Sequence, residues 1–201
     1  MSGTNTSATG GYIVERPPGP MAEAAVLVAL QKLVMNLTGL PGTLVRPSWQ
    51  PVPPAQPAVD VTWAAVGINR VDADDYPFIH HDGAVTLVGA PGPGADRMQR
   101  HYTYSILVTL YGPGSSDLAG TLSDAMYVSQ NYEPLRAAGF KLRESRTQAR
   151  NAEFVNQQWV DRIDVEITLR RQIDRVYPVL NIVGADAVIR EDGGAIVEVS
   201  V

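Results

Sequence analysis

Between Gln158 and Arg171 the chain alternates almost without interruption. Trp159, Ile163, Val165, Ile167 and Leu169 fall on one side, and Arg162, Asp164, Glu166, Thr168 and Arg170 fall on the other. Period-2 patterning of this kind specifies a β-strand with one buried and one polar face. Its length, about 14 residues against the roughly 5–6 of an ordinary strand, constrains the rest. A strand that outruns its own domain pairs with another molecule or projects from the body, because a bare edge otherwise templates aggregation. The outward row carries both signs of charge, which suits cross-strand or intersubunit pairing. The plain alternative is a solvated outer face whose ion pairs are each worth little.

The remaining elements follow from periodicity and punctuation. Residues 1–20 read as an arm: small polar residues first, then the stiff run Pro17, Pro18, Gly19, Pro20. Met21 to Thr38 reads as a helix closed by Gly39, with Val26, Leu27, Leu30, Leu33, Val34 and Leu37 forming an apolar stripe. A short strand is expected within Leu44 to Gln50, and Pro51, Pro53, Pro54 and Pro57 then exclude a ladder interior. Strands are expected over Val59 to Val71 and Met98 to Tyr111, with a shorter extended piece somewhere in Phe78 to Val88. Ser115 or Ser116 is placed to cap a helix carrying Leu118, Leu122, Ala125 and Met126. A second short helix runs from about Tyr132 to Ala138, followed by a strand from Phe140 to Arg146. The last segment, 178–201, reads as a hairpin about the turn Glu191-Asp192-Gly193-Gly194. The expected fold is therefore α+β: a largely antiparallel mixed sheet with helices packed on one face, spanning 21–177, plus extended N- and C-terminal arms.

Composition removes several function classes. The chain has 201 residues, 45% hydrophobic and 18% charged, enough for one globular core. No apolar run approaches the roughly 18 residues that cross a bilayer, and no basic start followed by an apolar stretch marks a secretion signal. A net charge of −5 argues against a surface that grips DNA. The absence of cysteine excludes disulfides and thiolate chemistry and suits a reducing cytoplasm or a particle assembled there.

Candidate chemistry is sparse. His80, His81, Asp82 and His101 form the one cluster resembling metal ligands, but adjacent histidines on an extended segment point to opposite faces. Asp72, Asp74 and Asp75 lack the glycine turn and distal glutamate of a calcium loop. The run Gly89 to Gly94 contains prolines that remove the donors a phosphate cradle needs. The pairs Asp161/Asp164 and Asp164/Glu166 each have an arginine close by and read as ion-pair partners. No catalytic residue, cofactor site or metal site is expected, and an enzyme built on the histidines is the less favoured alternative.

Several segments in order resemble a known family. They include Gly11-Tyr12-Ile13-Val14, Leu37-Thr38-Gly39-Leu40-Pro41-Gly42, Trp49-Gln50-Pro51, Ile79-His80-His81-Asp82 and Gln99-Arg100-His101. Further along stand Leu110-Tyr111-Gly112-Pro113, Asn156-Gln157-Gln158-Trp159 and Leu169-Arg170-Arg171-Gln172 running into Arg175-Val176-Tyr177-Pro178. Over about residues 11 to 182 the chain resembles the neck or tail terminator proteins of tailed bacteriophages. That resemblance implies a small α+β subunit that assembles as a hexameric ring at the head-proximal end of the tail, terminates tail-tube assembly and joins tail to connector. Implied partners are other copies of the chain, tail tube and sheath proteins, and neck or connector proteins. Genomic DNA would pass through the channel without specific binding, in a virion assembled in the host bacterial cytoplasm. Another tail component, of baseplate or tube, is the alternative. The ring is expected to close through Arg162, Asp164, Glu166, Arg170, Arg171 and Arg175, since a closed ring needs two different patches per subunit.

Overall fold

The computed structural model describes residues 5–9, 11–15, 23–52, 54–155, 157–182, 186–190 and 196–200. Its elements are α1 (Glu23–Thr38), β1 (Val45–Pro47), β2 (Trp63–Ala73), β3 (Phe78–Asp82), β4 (Ala95–Tyr111), α2 (Ser115–Ala125), α3 (Glu133–Ala137), β5 (Phe140–Val155), β6 (Gln158–Tyr177), β7 (Asp186–Arg190) and β8 (Ile196–Ser200). The main sheet runs β1-β2-β4-β6-β5, with β3 paired to the first residues of β4, and β7 and β8 form a separate antiparallel pair. β1 pairs with β2 in parallel, whereas β2–β4, β3–β4 and β5–β6 pair antiparallel, so the fold is α+β with a mixed, mostly antiparallel sheet. The expected turn Glu191-Asp192-Gly193-Gly194 and the proline run Pro17, Pro18, Gly19, Pro20 lie outside the described residues.

Two compact units divide the chain. One comprises residues 20–77 and 100–173, and the other comprises residues 1–19, 78–99 and 174–201. In the first, alternation does what the sequence asks of it. Ala64 and Val66 of β2, Tyr104, Ile106, Val108 and Leu110 of β4, and Ile163, Val165, Ile167 and Leu169 of β6 are all buried in a single cluster. Val26, Leu30, Leu33 and Val34 of α1, Leu122 of α2 and Leu135 of α3 complete that cluster. Each fully buried Val, Leu or Ile of the cluster contributes about 1.5–3 kcal/mol on leaving water.

The differences from expectation have local causes. β2 begins at Trp63, not Val59, and Val59 is exposed. The first short strand is confined to Val45–Pro47. Neither Ser115 nor Ser116 caps α2: Gly114 is the cap, without a side-chain bond, and the Ser115 hydroxyl is buried with no hydrogen-bond partner among the described residues. β5 continues to Val155 instead of stopping near Arg146, its register shifting between Leu142 and Glu144 and between Thr147 and Arg150. Such bulges break the period-2 pattern by which strands are read. Trp159, expected on the buried side, is 71% exposed. The Gly112 amide bonds Asp161 O (3.0 Å) just after β4 ends, so nothing in β4 lies beyond to cover Trp159.

Gly112 is itself a tight point. Its φ is +93°, and a Cβ there would lie 2.6 Å from Val61 O. Gly112→Ala is therefore expected to cost about 2 kcal/mol or more, combining left-handed strain with a backbone clash. A urea midpoint unchanged from wild type would show that the turn relaxes freely.

In the second unit the N-terminal and C-terminal segments bond to one another. The Ser7 amide donates to Pro178 O (3.2 Å), and the Leu180 amide donates to Ser7 Oγ (2.7 Å). Glu15 pairs with Arg175.

Candidate assembly surfaces

The longest continuous feature is the antiparallel pair of β5, 16 residues, and β6, 20 residues. Val155 stands opposite Gln158, and Gln157 takes φ +63°. Next along the ladder Phe154 faces Trp159, with ring centroids 5.1 Å apart. Phe154 is 59% exposed. The hairpin thus runs past the end of β4 and finishes in a bare aromatic pair.

Behind that tip the charged row is satisfied within the chain. Arg150 pairs with Asp161. Arg162 donates Nε and Nη2 to both oxygens of Asp164 (3.2 and 3.0 Å) and Nη1 to Glu153 Oε2 (3.2 Å). The Asp164 carboxylate, foremost, raises the Arg162 pKa, so the guanidinium stays charged. Asp164 is buried. Glu166 stands opposite Arg146 on β5.

The other three expected interface residues lie further along β6. Arg170 reaches Asp74 (Nη2 to Oδ2, 2.7 Å), whose carboxylate also lies 3.9 Å from His101 Nδ1. Arg171 belongs to the opposite, buried row: it is 8% exposed and its guanidinium lies 5.0 Å from the Phe140 ring centroid. Arg175 Nε pairs with Glu15 (2.9 Å). Of the six, Arg171 packs in the core, Asp164 holds Arg162 on its own strand, and Arg162, Arg170 and Arg175 reach partners on other strands and segments.

A cleft of about 770 Å³ opens on the sheet face carrying Arg162, away from the helices. Trp63 and Tyr111 stack in it (4.3 Å, 11° between planes), Arg46 lies over Trp63, and Trp49 stands at its rim, 82% exposed. Burial, ahead of the nearby Glu153 charge, pushes the Tyr111 phenol up from its ordinary value. The sequence reading missed both this cleft and the hairpin tip. Two aromatics spaced evenly about Asn156-Gln157 were the available signal for the tip.

The histidines do not converge. His81 spends both ring nitrogens on Asp96 and Asn181, and His101 lies beside Asp74. Among the described residues no group of three or more His, Asp or Glu side chains is placed to hold a metal ion. Asp72 pairs with Arg70, and no helix among the described residues is long and apolar enough to cross a membrane.

The chain matches the family described as phage neck terminator protein over residues 24–193 of the 201. The match runs past Ala185, further than the sequence resemblance noted above. No curated protein matches the chain.

Proposed function

The chain belongs to the phage neck terminator protein family, a family of structural proteins, and from that premise we propose that it closes a ring at the head-proximal end of the phage tail. In this reading the ring, a hexamer, terminates tail-tube assembly and presents one face to the connector and the other to tube and sheath proteins. It acts by assembly and not by catalysis. A net charge of −5 supports a channel through which DNA slides without sticking.

The observation that carries the proposal is the β5–β6 hairpin that outruns its sheet and ends in exposed Phe154 and Trp159. Arg162, Asp164, Glu166, Arg170, Arg171 and Arg175 lie along the same hairpin. Their partners within the chain stiffen it, so that less side-chain freedom is lost when a second copy docks. Aromatics with few rotatable bonds supply the anchor, while charges still exposed set register and partner choice.

The test is the mass of the full chain in solution. Phe154→Ser with Trp159→Ser is expected to convert the ring to a folded monomer, since the same changes in an isolated subunit are exposed and typically cost only about 0.5 kcal/mol. A ring that persists in the double variant would place the subunit contact elsewhere. Reversing Arg171 is a poorer probe, because it is buried against Phe140 and its loss disturbs folding itself.

A further inference from the structure

His81 stands on the short strand β3 with both ring nitrogens facing acceptor oxygens. Nδ1 lies 2.7 Å from Asp96 Oδ1 and Nε2 lies 2.9 Å from Asn181 Oδ1. The Asn181 amide cannot be turned round, because its Nδ2 donates to Gly83 O (3.0 Å) and would otherwise present oxygen to oxygen. A neutral imidazole has a single N–H to donate, so only the imidazolium satisfies both acceptors at once.

The site is built around Asn181. Its backbone amide donates to Pro93 O (3.1 Å), and the Gly94 amide donates to Val85 O (2.8 Å). Gly94 has φ +122°, and a Cβ there would sit 2.6 Å from Asn181 N, while one at Gly83 would sit 3.1 Å from Asn181 Oδ1. Two glycines therefore make room for a residue about a hundred positions away. Beyond residue 182 the chain leads into β7 and β8.

We propose that protonated His81 is a latch that fastens the strap 178–182 to β3 and the loop before β4, and that loss of its proton loosens the root of the C-terminal β7–β8 pair. The inference is independent of ring closure. The charged groups around the ring are Asp96 on β4 and Asp82 on its own strand, with Asp82 engaged by Arg97 (3.2 Å). Among the described residues of the strap there is no titratable side chain. The Asn181 bond first, then Asp96, raises the His81 pKa above its ordinary 6.5. A group whose pKa is raised by a contact stabilises that contact fully below its unperturbed value, and the stabilisation is lost as pH rises through the raised value. The strap is therefore fastened below pH 6.5 and loosens as pH rises through the raised value, which lies above 6.5.

Hydrogen exchange of the full chain, corrected for the intrinsic pH dependence of exchange, tests this at the Leu180 and Asn181 amides. From about pH 6 to about pH 9, their protection is expected to fall by up to about tenfold per pH unit within the titration window. Protection at Ile106 and Val108 in the core stays constant. His81→Gln abolishes the pH dependence, and Asp96→Asn moves the fall to lower pH. Flat protection in the wild-type chain would overturn the proposal, as would a fall that persists in His81→Gln or an unmoved one in Asp96→Asn.

Discussion

Replacing Phe140 with alanine is expected to lower stability by about 3–5 kcal/mol, as for other fully buried aromatics. Phe140 opens β5 directly after Gly139, whose φ of +85° turns the chain out of α3. It is 1% exposed and packs edge-on against Tyr104, ring centroids 5.2 Å apart at 76°. Its other face carries the guanidinium of Arg171. Truncation leaves a cavity beneath α3 and strands a buried cation whose Nη1 has no hydrogen-bond partner among the described residues. Against a typical total of about 5–15 kcal/mol, that is a large fraction. Urea unfolding reads it directly: the midpoint should drop sharply, whereas Phe154→Ala, at the exposed tip, should barely move it. Equal shifts at the two positions would mean that Phe140 is not the core residue its burial indicates.

The second large effect is expected at Asp164, a buried carboxylate held by two hydrogen bonds from Arg162. Breaking a fully buried ion pair costs about 3–5 kcal/mol, because the surviving charge is left uncompensated. Here the Arg162 side chain keeps 30% of its exposure and a second partner in Glu153, so Asp164→Ala should cost less, about 2–3 kcal/mol. Replacing both members together, Asp164→Leu with Arg162→Met, should recover most of the loss, since no unpaired charge then remains. A double variant as unstable as the sum of its parts would show that the two side chains act separately.

The parts of this fold legible in sequence are those in which one face of a strand meets one continuous core. β4 and β6 announce themselves through Tyr104 to Leu110 and Ile163 to Leu169 because the pleat places alternate residues against α1 and α2. The far half of β5 is invisible for the same physical reason. It has polar and charged residues, and two register shifts flip which residues face inward. Trp159 shows a different limit: alternation assigns a side chain to a face but cannot say where the neighbouring strand stops. The charged row was readable as a row, but not its partners. Asp74 lies on the segment after β2, far from Arg170, and Glu15 lies far from Arg175, so only the folded topology brings them together. The tip pair was hidden because an aromatic in an alternating strand is ordinarily a core residue.

This subunit is expected to function as part of a closed assembly at the neck, anchored through the β5–β6 hairpin. Electron microscopy of intact phage particles tests it most directly. The expected result is a single closed ring of this chain between the last ring of the tail tube and the head connector, with Phe154 and Trp159 of each copy buried against its neighbour. Density for the chain at the baseplate, or as isolated subunits with the hairpin tips in solvent, would contradict the account.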